Sequence, residues 1–441
     1  MSVSSGSGVP VQSLDPSSVV DDRDYHYNVS DEEHSGQKNF STVDLPVTPQ
    51  VRSAKLTDDG SLSVIWKNET TTTSEDQSIH SSVWPAATLD YWADNILTGE
   101  RLSNFTPAKR TLWNRAKYNA LLSHGICRIT HADWTSSSNP AAFERALDQL
   151  SKTGLIFVTD VPNKEDEVER IGQRIGMLQH TFYGTTWDVK SKPRAENVAY
   201  TSQFLGLHQD LMYHEPIPRL QLLHCLANSC EGGESLFSDG VRAAYAMQIE
   251  HPELYNVLTW FSVPFHYRSK DGQHHYEAQW PTIEIDRKTK YIKGTHWAPP
   301  FQAPFRMPFP GLVEKGGFLA KWKEAAAVFH AMLASPENMV KVKLKPGECI
   351  IFDNSRVLHG RNEFKTGGEG DRWLKGTYVS PQVFTARQYR MQMEEDGRPK
   401  RRIRLRGMDG KVTIGGDQND TTRLLKSERS QVKAMLGLLE D

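Results

Sequence analysis

Apolar positions acquire a period only after about residue 45. Residues 1–45 are rich in Ser, Asp, Gly and Pro with no apolar repeat, which predicts a disordered N-terminal tail. Two strand-like runs, 51–56 and 61–66, then flank Asp58-Asp59-Gly60, a hairpin signal. With Trp84, Tyr91, Trp92 and Trp113 they predict a small β-rich domain over residues 46–117. Farther on, Pro140 to Thr153 puts Phe143, Ala146, Leu147 and Leu150 on one helical face, with Pro140 in the first turn and Gly154 as the stop. Leu155-Ile156-Phe157-Val158 reads as a buried strand, and 163–176 as a second helix through Val168, Ile171 and Ile175. Short strands dominate afterwards, at 220–226, 235–238, 261–267, 282–285, 339–344 and 349–352, punctuated by Gly, Pro and Asp. Helices at 241–250 and 319–333 interrupt them. Many short strands with few helices predict a mainly β domain with helices, a sandwich or a jelly roll, over residues 118–396. Residues 397–441 read as a polar C-terminal tail.

Length, charge and cysteine use narrow this picture. A chain of 441 residues exceeds one compact core and fits a large domain with additions. The net charge of −2 gives no support to a nucleic-acid binder. The basic run 398–406 reads as a solvated tail balanced by Glu394, Glu395 and Asp396, with a nuclear or nucleic-acid patch as the alternative. No run of about 18 apolar residues predicts a membrane span. The first residues lack an apolar signal core and carry Asp early, so the expected location is cytoplasmic. Cys127, Cys225, Cys230 and Cys349 read as buried thiols of a reducing compartment, and no CxxC pair suggests a zinc site.

The candidate chemistry lies in two segments. Gly206-Leu207-His208-Gln209-Asp210 carries His-x-Asp, and Phe352-Asp353-Asn354 through His359-Gly360-Arg361 supplies a distant histidine. Two imidazoles and one carboxylate on one face of an iron ion leave three positions for a chelating cosubstrate and O₂. In an extended strand, His and Asp two residues apart project to one side. His-x-Asp alone recurs by chance, and His214, His224 and His296 read as structural. Arg372 opens the strand-like run after His359, and its forked guanidinium suits the far carboxylate of a dicarboxylic cosubstrate. Without the triad, Arg372 would read as a surface arginine. Ser235, in Gly232-Gly233-Glu234-Ser235, is either a hydroxyl donor to that carboxylate or a turn serine.

Together with Leu222-Leu223-His224-Cys225 and Asp239-Gly240, these motifs resemble the taurine-dioxygenase-like superfamily from about residue 50 to 390. Within it the chain is similar to the γ-butyrobetaine and trimethyllysine hydroxylase branch. The resemblance implies a double-stranded β-helix (jelly roll) catalytic domain plus the small β-rich N-terminal domain. It implies Fe(II) on His208, Asp210 and His359, with 2-oxoglutarate as cosubstrate on Arg372 and Ser235 and ascorbate as reductant. The reaction would couple decarboxylation to succinate and CO₂ with hydroxylation of a small substrate, and an intact Asp210 argues against a halogenase. Residues 181–187 and 197–201 resemble the γ-butyrobetaine enzyme more than its relative. There Tyr183, Trp187 and Tyr378 would cage a trimethylammonium group through their ring faces. Asn197 would meet the substrate carboxylate, with Tyr200 beside it.

The sequence also departs from that pattern. Leu211 stands where the family has a further cage tyrosine, and a second carboxylate-binding asparagine has no counterpart near Thr295-His296-Trp297. The N-terminal domain keeps His80 at the family's zinc histidine but none of the zinc cysteines, so no zinc is expected. The family's enzymes are commonly dimers, which implies a homodimer. The readings are therefore γ-butyrobetaine hydroxylation to L-carnitine, or the same chemistry on trimethyllysine, another betaine or a secondary metabolite. A non-catalytic ligand-binding jelly roll is the reading from another class.

Overall fold

The computed structural model describes residues 50–67, 81–84, 110–190, 201–269, 271–287, 290–305, 317–365, 372–392 and 420–438, with a few isolated positions elsewhere. The expected N-terminal tail, His80, Tyr91, Trp92, Asn197, Tyr200 and most of the basic run lie outside the described residues. The chain divides into two compact units, residues 1–104 with 417–419 and residues 105–416 with 420–441.

In the first unit, β1 (Val51–Leu56), β2 (Leu62–Trp66) and β3 (Ser81–Trp84) form an antiparallel sheet in the order β1-β2-β3. Gly60 takes φ +82° in the predicted hairpin turn, and Val64 and Trp66 are buried. Trp113 does not belong with this sheet. It lies in the second unit, fully buried, donating its Nε1 hydrogen to Thr153 O at 2.7 Å and packed on Tyr118.

The second unit opens with α1 (Arg115–Ser123), β4 (Arg128–Thr130), α2 (His131–Thr135), α3 (Pro140–Thr153), β5 (Leu155–Thr159) and α4 (Glu167–Ile175). α3 has the predicted bounds: Pro140 starts it and Gly154, at φ +74°, ends it in the left-handed conformation. β6 (Thr186–Lys190), β7 (Leu205–His208), β8 (Leu220–Asn228) and β9 (Ser235–Asp239) follow. Next come α5 (Gly240–Glu250), α6 (Pro252–Trp260), β10 (Ser262–Arg268), β11 (His275–Pro281), β12 (Ile283–Ile285), β13 (Ile292–Thr295) and α7 (Phe318–Ala334). The chain then adds β14 (Val340–Val342), β15 (Cys349–Asp353), β16 (Val357–Arg361), β17 (Arg372–Val379), α8 (Pro381–Gln392) and α9 (Asp420–Met435).

Two sheets make the jelly roll. One has six strands in the order β4-β5-β15-β8-β17-β6, the other four in the order β14-β9-β16-β7. Only the β4–β5 pair is parallel among their ladders. β5 and β15 carry unbroken apolar runs because both faces of their sheet are covered. Helices α3 and α4 cover one face with Phe143, Leu147, Leu150, Val168 and Ile171. Each such buried side chain contributes about 1.5–3 kcal/mol of transfer free energy. On the other face, Phe237 of β9 meets Phe352 of β15 edge-on at 5.9 Å, joining the two sheets. A second core forms around α5, α6 and α7 through Tyr245, Leu258, Trp322, Phe329 and Leu333.

The stretch expected to be a polar C-terminal tail holds a packed helix, α9. In α9, Glu428 and Val432 are fully buried. Glu428 accepts Nε and Nη2 of Arg110 at 2.8 and 2.7 Å, while Gln431 bonds Leu112 N and Arg110 O. A largely polar helix is held here through buried polar pairs together with Val432, which joins the core with Met435 and Leu436 packed against it. Glu428→Ala leaves the Arg110 guanidinium buried without its carboxylate. It is expected to cost roughly 3–5 kcal/mol of stability, measured by urea unfolding, whereas replacing both partners with apolar residues costs less. Equal losses in the single and double variants would refute the pairing argument. Among the described residues no helix is long and apolar enough to cross a membrane.

Candidate active site

The site sits between the two sheets. β7 and β16 run antiparallel with His208 opposite His359, so both imidazoles reach one face, their ring centroids 4.2 Å apart. The strand ends at His208, and Asp210 reaches its place through a turn rather than along an extended strand. Buried Gln209 makes that turn. Its backbone N–H donates to Trp297 O, its Oε1 accepts Trp297 N and Thr295 Oγ1, and its Nε2 donates to Asn354 O. Asn354 then brackets the backbone of Asp210, accepting its N–H at 2.8 Å and donating to its carbonyl at 2.9 Å.

The outcome is a compact donor set. Asp210 Oδ1 lies 3.3 Å from His208 Nε2 and 3.8 Å from His359 Nε2. One ligand atom from each residue falls within 4.8 Å of the others. Ligands at right angles around an ion with bonds near 2.1 Å stand roughly 3 Å apart, so the spacing fits one metal ion. The Nδ1 of His208 pairs with Gly206 O at 2.9 Å, which leaves Nε2 as the ligating nitrogen. Burial and the neighbouring His208 push His359 down to about 3, so its ring is neutral at pH 7, the metal-binding form. Burial alone would raise the Asp210 carboxyl. The His359 and His208 imidazoles and the Tyr378 hydroxyl instead hold it far below the usual range, as the carboxylate.

Alternate positions of β17 line the pocket: Arg372, Leu374 and Tyr378 face it, and Gly376 shares their side. At one end lie Arg372, nearly buried, and Ser235. Gly232 and Gly233 have φ of +82° and +72°, and a Cβ on Gly233 would press the Arg372 side chain at 3.3 Å. Gly233 thus makes room for the Arg372 side chain, while Gly232 lets the backbone of Glu363 come close. Arg361 is a second guanidinium on the same pocket, donating to Thr201 O and Gln203 O. Leu223, Phe237, Ile350 and Leu374 supply apolar wall.

Aromatic rings line another part of the pocket. Tyr183, Trp187 and Tyr378 line one pocket, in which Trp187 and Tyr378 stack on each other with centroids 4.0 Å apart. Gly376 permits this, since a Cβ there would stand 2.6 Å from the Trp187 ring. The Tyr378 hydroxyl donates to Asp210 Oδ2 at 2.7 Å. Tyr213 and Phe301, 5.3 Å apart, line the same pocket together with Leu211, which is buried at φ +58°. Sequence reasoning missed Tyr213, Phe301, Arg361 and Gln221. The nearest signal was Tyr213, an aromatic within one turn of Asp210.

A jelly roll carrying two imidazoles and a carboxylate on one face, beside a buried arginine, defines a 2-oxoglutarate-dependent dioxygenase. The chain belongs to the family described as taurine catabolism dioxygenase TauD, TfdA, which it matches over residues 119–378. It is 32% identical to dioxygenase str8 of Strobilurus tenacellus over 356 residues, 78% of this chain and 77% of that protein. It is 33% identical to the γ-butyrobetaine dioxygenase of Homo sapiens over 243 residues, 55% of this chain and 61% of the human protein. With the γ-butyrobetaine dioxygenase of Pseudomonas sp. strain AK-1 it shares 29% identity over 351 residues, 79% of this chain and 83% of that one.

Proposed function

We propose that the chain binds Fe(II) through His208, Asp210 and His359 and holds the far carboxylate of 2-oxoglutarate at Arg372 and Ser235. In this reading it hydroxylates a small substrate held among the aromatic rings. The observation that carries it is one pocket lined by the whole His-Asp-His set and by Arg372, with Asp210 the one carboxylate among its lining residues. Bound iron, with 2-oxoglutarate and O₂, supplies the oxidising power. The chain's residues do the positioning. Arg372 would hold the far carboxylate of the cosubstrate through its guanidinium. Leu223, Phe237, Ile350 and Leu374 keep water from the pocket wall, and the rings orient the substrate's C–H bond.

γ-Butyrobetaine, with L-carnitine as product, is the first substrate to test, with Asn197 and Tyr200 completing its site. Two observations favour the second reading, another substrate for the same chemistry. Trp187 and Tyr378, stacked at 4.0 Å, leave no space for a cation between them, and Leu211 stands in place of a ring beside Asp210. That substrate would be trimethyllysine, another betaine or a secondary metabolite. Ascorbate as reductant, a homodimer and a cytoplasmic location complete the proposal. Carnitine biosynthesis enters only with γ-butyrobetaine.

The test is incubation with Fe(II), ascorbate, 2-oxoglutarate and O₂, with and without γ-butyrobetaine, followed by mass spectrometry and succinate assay. Carnitine with matching succinate supports the first substrate. Slow succinate with γ-butyrobetaine untouched supports the second reading. No succinate under any condition, while a ligand still binds, supports the non-catalytic reading. Arg372→Ala is expected to raise KM for 2-oxoglutarate roughly 10- to 100-fold, the worth of one pair of charge-assisted hydrogen bonds. Unchanged turnover in that variant would mean that no keto acid is used.

A further inference from the structure

We propose that Gln221 and Tyr378 are positioning residues that hold Asp210 as a one-oxygen ligand and so keep the rest of the metal's face open. The inference rests on the iron reading above and deepens it. The two oxygens of Asp210 have different surroundings. Oδ1 faces the Nε2 atoms of His208 and His359 at 3.3 and 3.8 Å. Oδ2 accepts the Gln221 amide and the Tyr378 hydroxyl, each at 2.7 Å. The terminal torsion of Asp is soft, so covalent geometry does not decide whether one oxygen or both turn towards a metal. Two short hydrogen bonds to the same oxygen do decide it.

Both donors are themselves fixed. Gln221 and Tyr378 are direct partners across the β8–β17 ladder, so their side chains leave the same face side by side. Gln221 is nearly fully buried and also pairs with Phe352 on its other side. The Tyr378 ring is held by its stack on Trp187. Asn354 fixes the Asp210 backbone, which removes the remaining way for the carboxylate to swing. The number of open positions depends on this. A facial triad leaves three, two for a chelating keto acid and one for O₂, and an aspartate binding through both oxygens would take one of them.

A merely structural role would be to satisfy a half-buried carboxylate, and a measurement can separate the two. Tyr378→Phe, which keeps the ring stack, Gln221→Met and the double variant would be loaded anaerobically with Fe(II) as full-length protein. Fe(II) affinity would be measured by equilibrium dialysis, and 2-oxoglutarate binding by the visible charge-transfer absorption of its iron chelate. Loss of a supporting group ordinarily costs about 10- to 100-fold in metal affinity, but a second carboxylate oxygen turned onto the metal would offset that loss. The expected result is therefore that the double variant binds Fe(II) within about threefold of the parent while its Kd for 2-oxoglutarate rises at least about tenfold, with the single variants between. Parent-like 2-oxoglutarate affinity in the double variant overturns the proposal. So does a fall of Fe(II) affinity in step with the melting temperature, which marks a structural role. Absence of the chelate absorption in the parent protein sinks the iron and 2-oxoglutarate reading itself, a failure visible without any variant.

Discussion

Asp210→Ala is expected to abolish succinate formation and to weaken Fe(II) binding by more than about 100-fold, the upper range for losing a group that only supports a ligand. The variant removes the one oxygen donor of the triad. It also removes the oxygen that both the Gln221 amide and the Tyr378 hydroxyl donate to, at about 1–3 kcal/mol for each buried donor that finds no new partner. The turn itself should survive, because Asn354 grips the backbone N–H and carbonyl at this position, which alanine keeps. The neighbours of Asp210 favour its charge, so losing it adds to the cost of the two donors, and the apo protein is expected to melt lower as well as to bind Fe(II) more weakly. Equilibrium dialysis with Fe(II) beside a thermal melt measures both. Succinate formation persisting in Asp210→Ala would remove the triad from the mechanism.

Why that carboxylate reaches the histidines was only half legible in the sequence. His-x-Asp and the distant histidine marked the residues, but the spacing works through a turn, not a strand, and the intervening Gln209 makes it. A single sequence shows that a glutamine lies between two ligands, not that its amide meets Asn354 and Trp297. The same limit explains the pocket residues that were missed. Gln221 matters because the β8–β17 register sets it opposite Tyr378, and Phe301 because the chain returns to Tyr213 from far away. Elements with strong periodicity or punctuation were readable. α3 carries Pro140, a four-residue apolar face and Gly154, and its bounds follow. β5 and β15 are unbroken apolar runs too short for helices.

Other elements hid behind polar composition. α9 lies in a stretch whose polar and charged composition reads as a tail, while Arg110 and Leu112, the partners of Glu428 and Gln431, lie more than three hundred residues earlier. β11 alternates polar and aromatic residues and pairs with β10 to carry Tyr276 and Trp280 against the core, a use that its exposure-neutral sequence does not announce. Trp113 groups in the sequence with Trp84, Tyr91 and Trp92 as aromatics of the N-terminal domain, but its partners Thr153 and Tyr118 lie in the second unit.

Asp239→Asn is expected to cost roughly 3–5 kcal/mol of stability, about 10 °C in melting temperature, although the residue touches no pocket atom. Asp239 and Arg356 form a two-pronged pair at 3.1 and 2.7 Å, and both are almost fully buried. The same guanidinium donates to Lys152 O and Thr111 O, and the same carboxylate accepts Trp113 N and caps α5 through Arg242 N. One ion pair thus ties the start of the unit, the end of α3, β9 and the turn before β16. Asparagine fits the space and remains a good helix cap, so loss of the cap contributes little. The cost comes from Arg356, whose charge stays buried without a counter-charge, and from an amide hydrogen facing donors where an oxygen stood. If this argument holds, Asp239→Asn combined with Arg356→Met costs less than the sum of the two single variants, since the ion pair can be lost only once. Thermal melts of the two single variants and the double variant decide between pairing and packing. A single variant melting within about 2 °C of the parent would mean that the pair contributes almost nothing, and the junction beside His359 would then depend on apolar contacts alone.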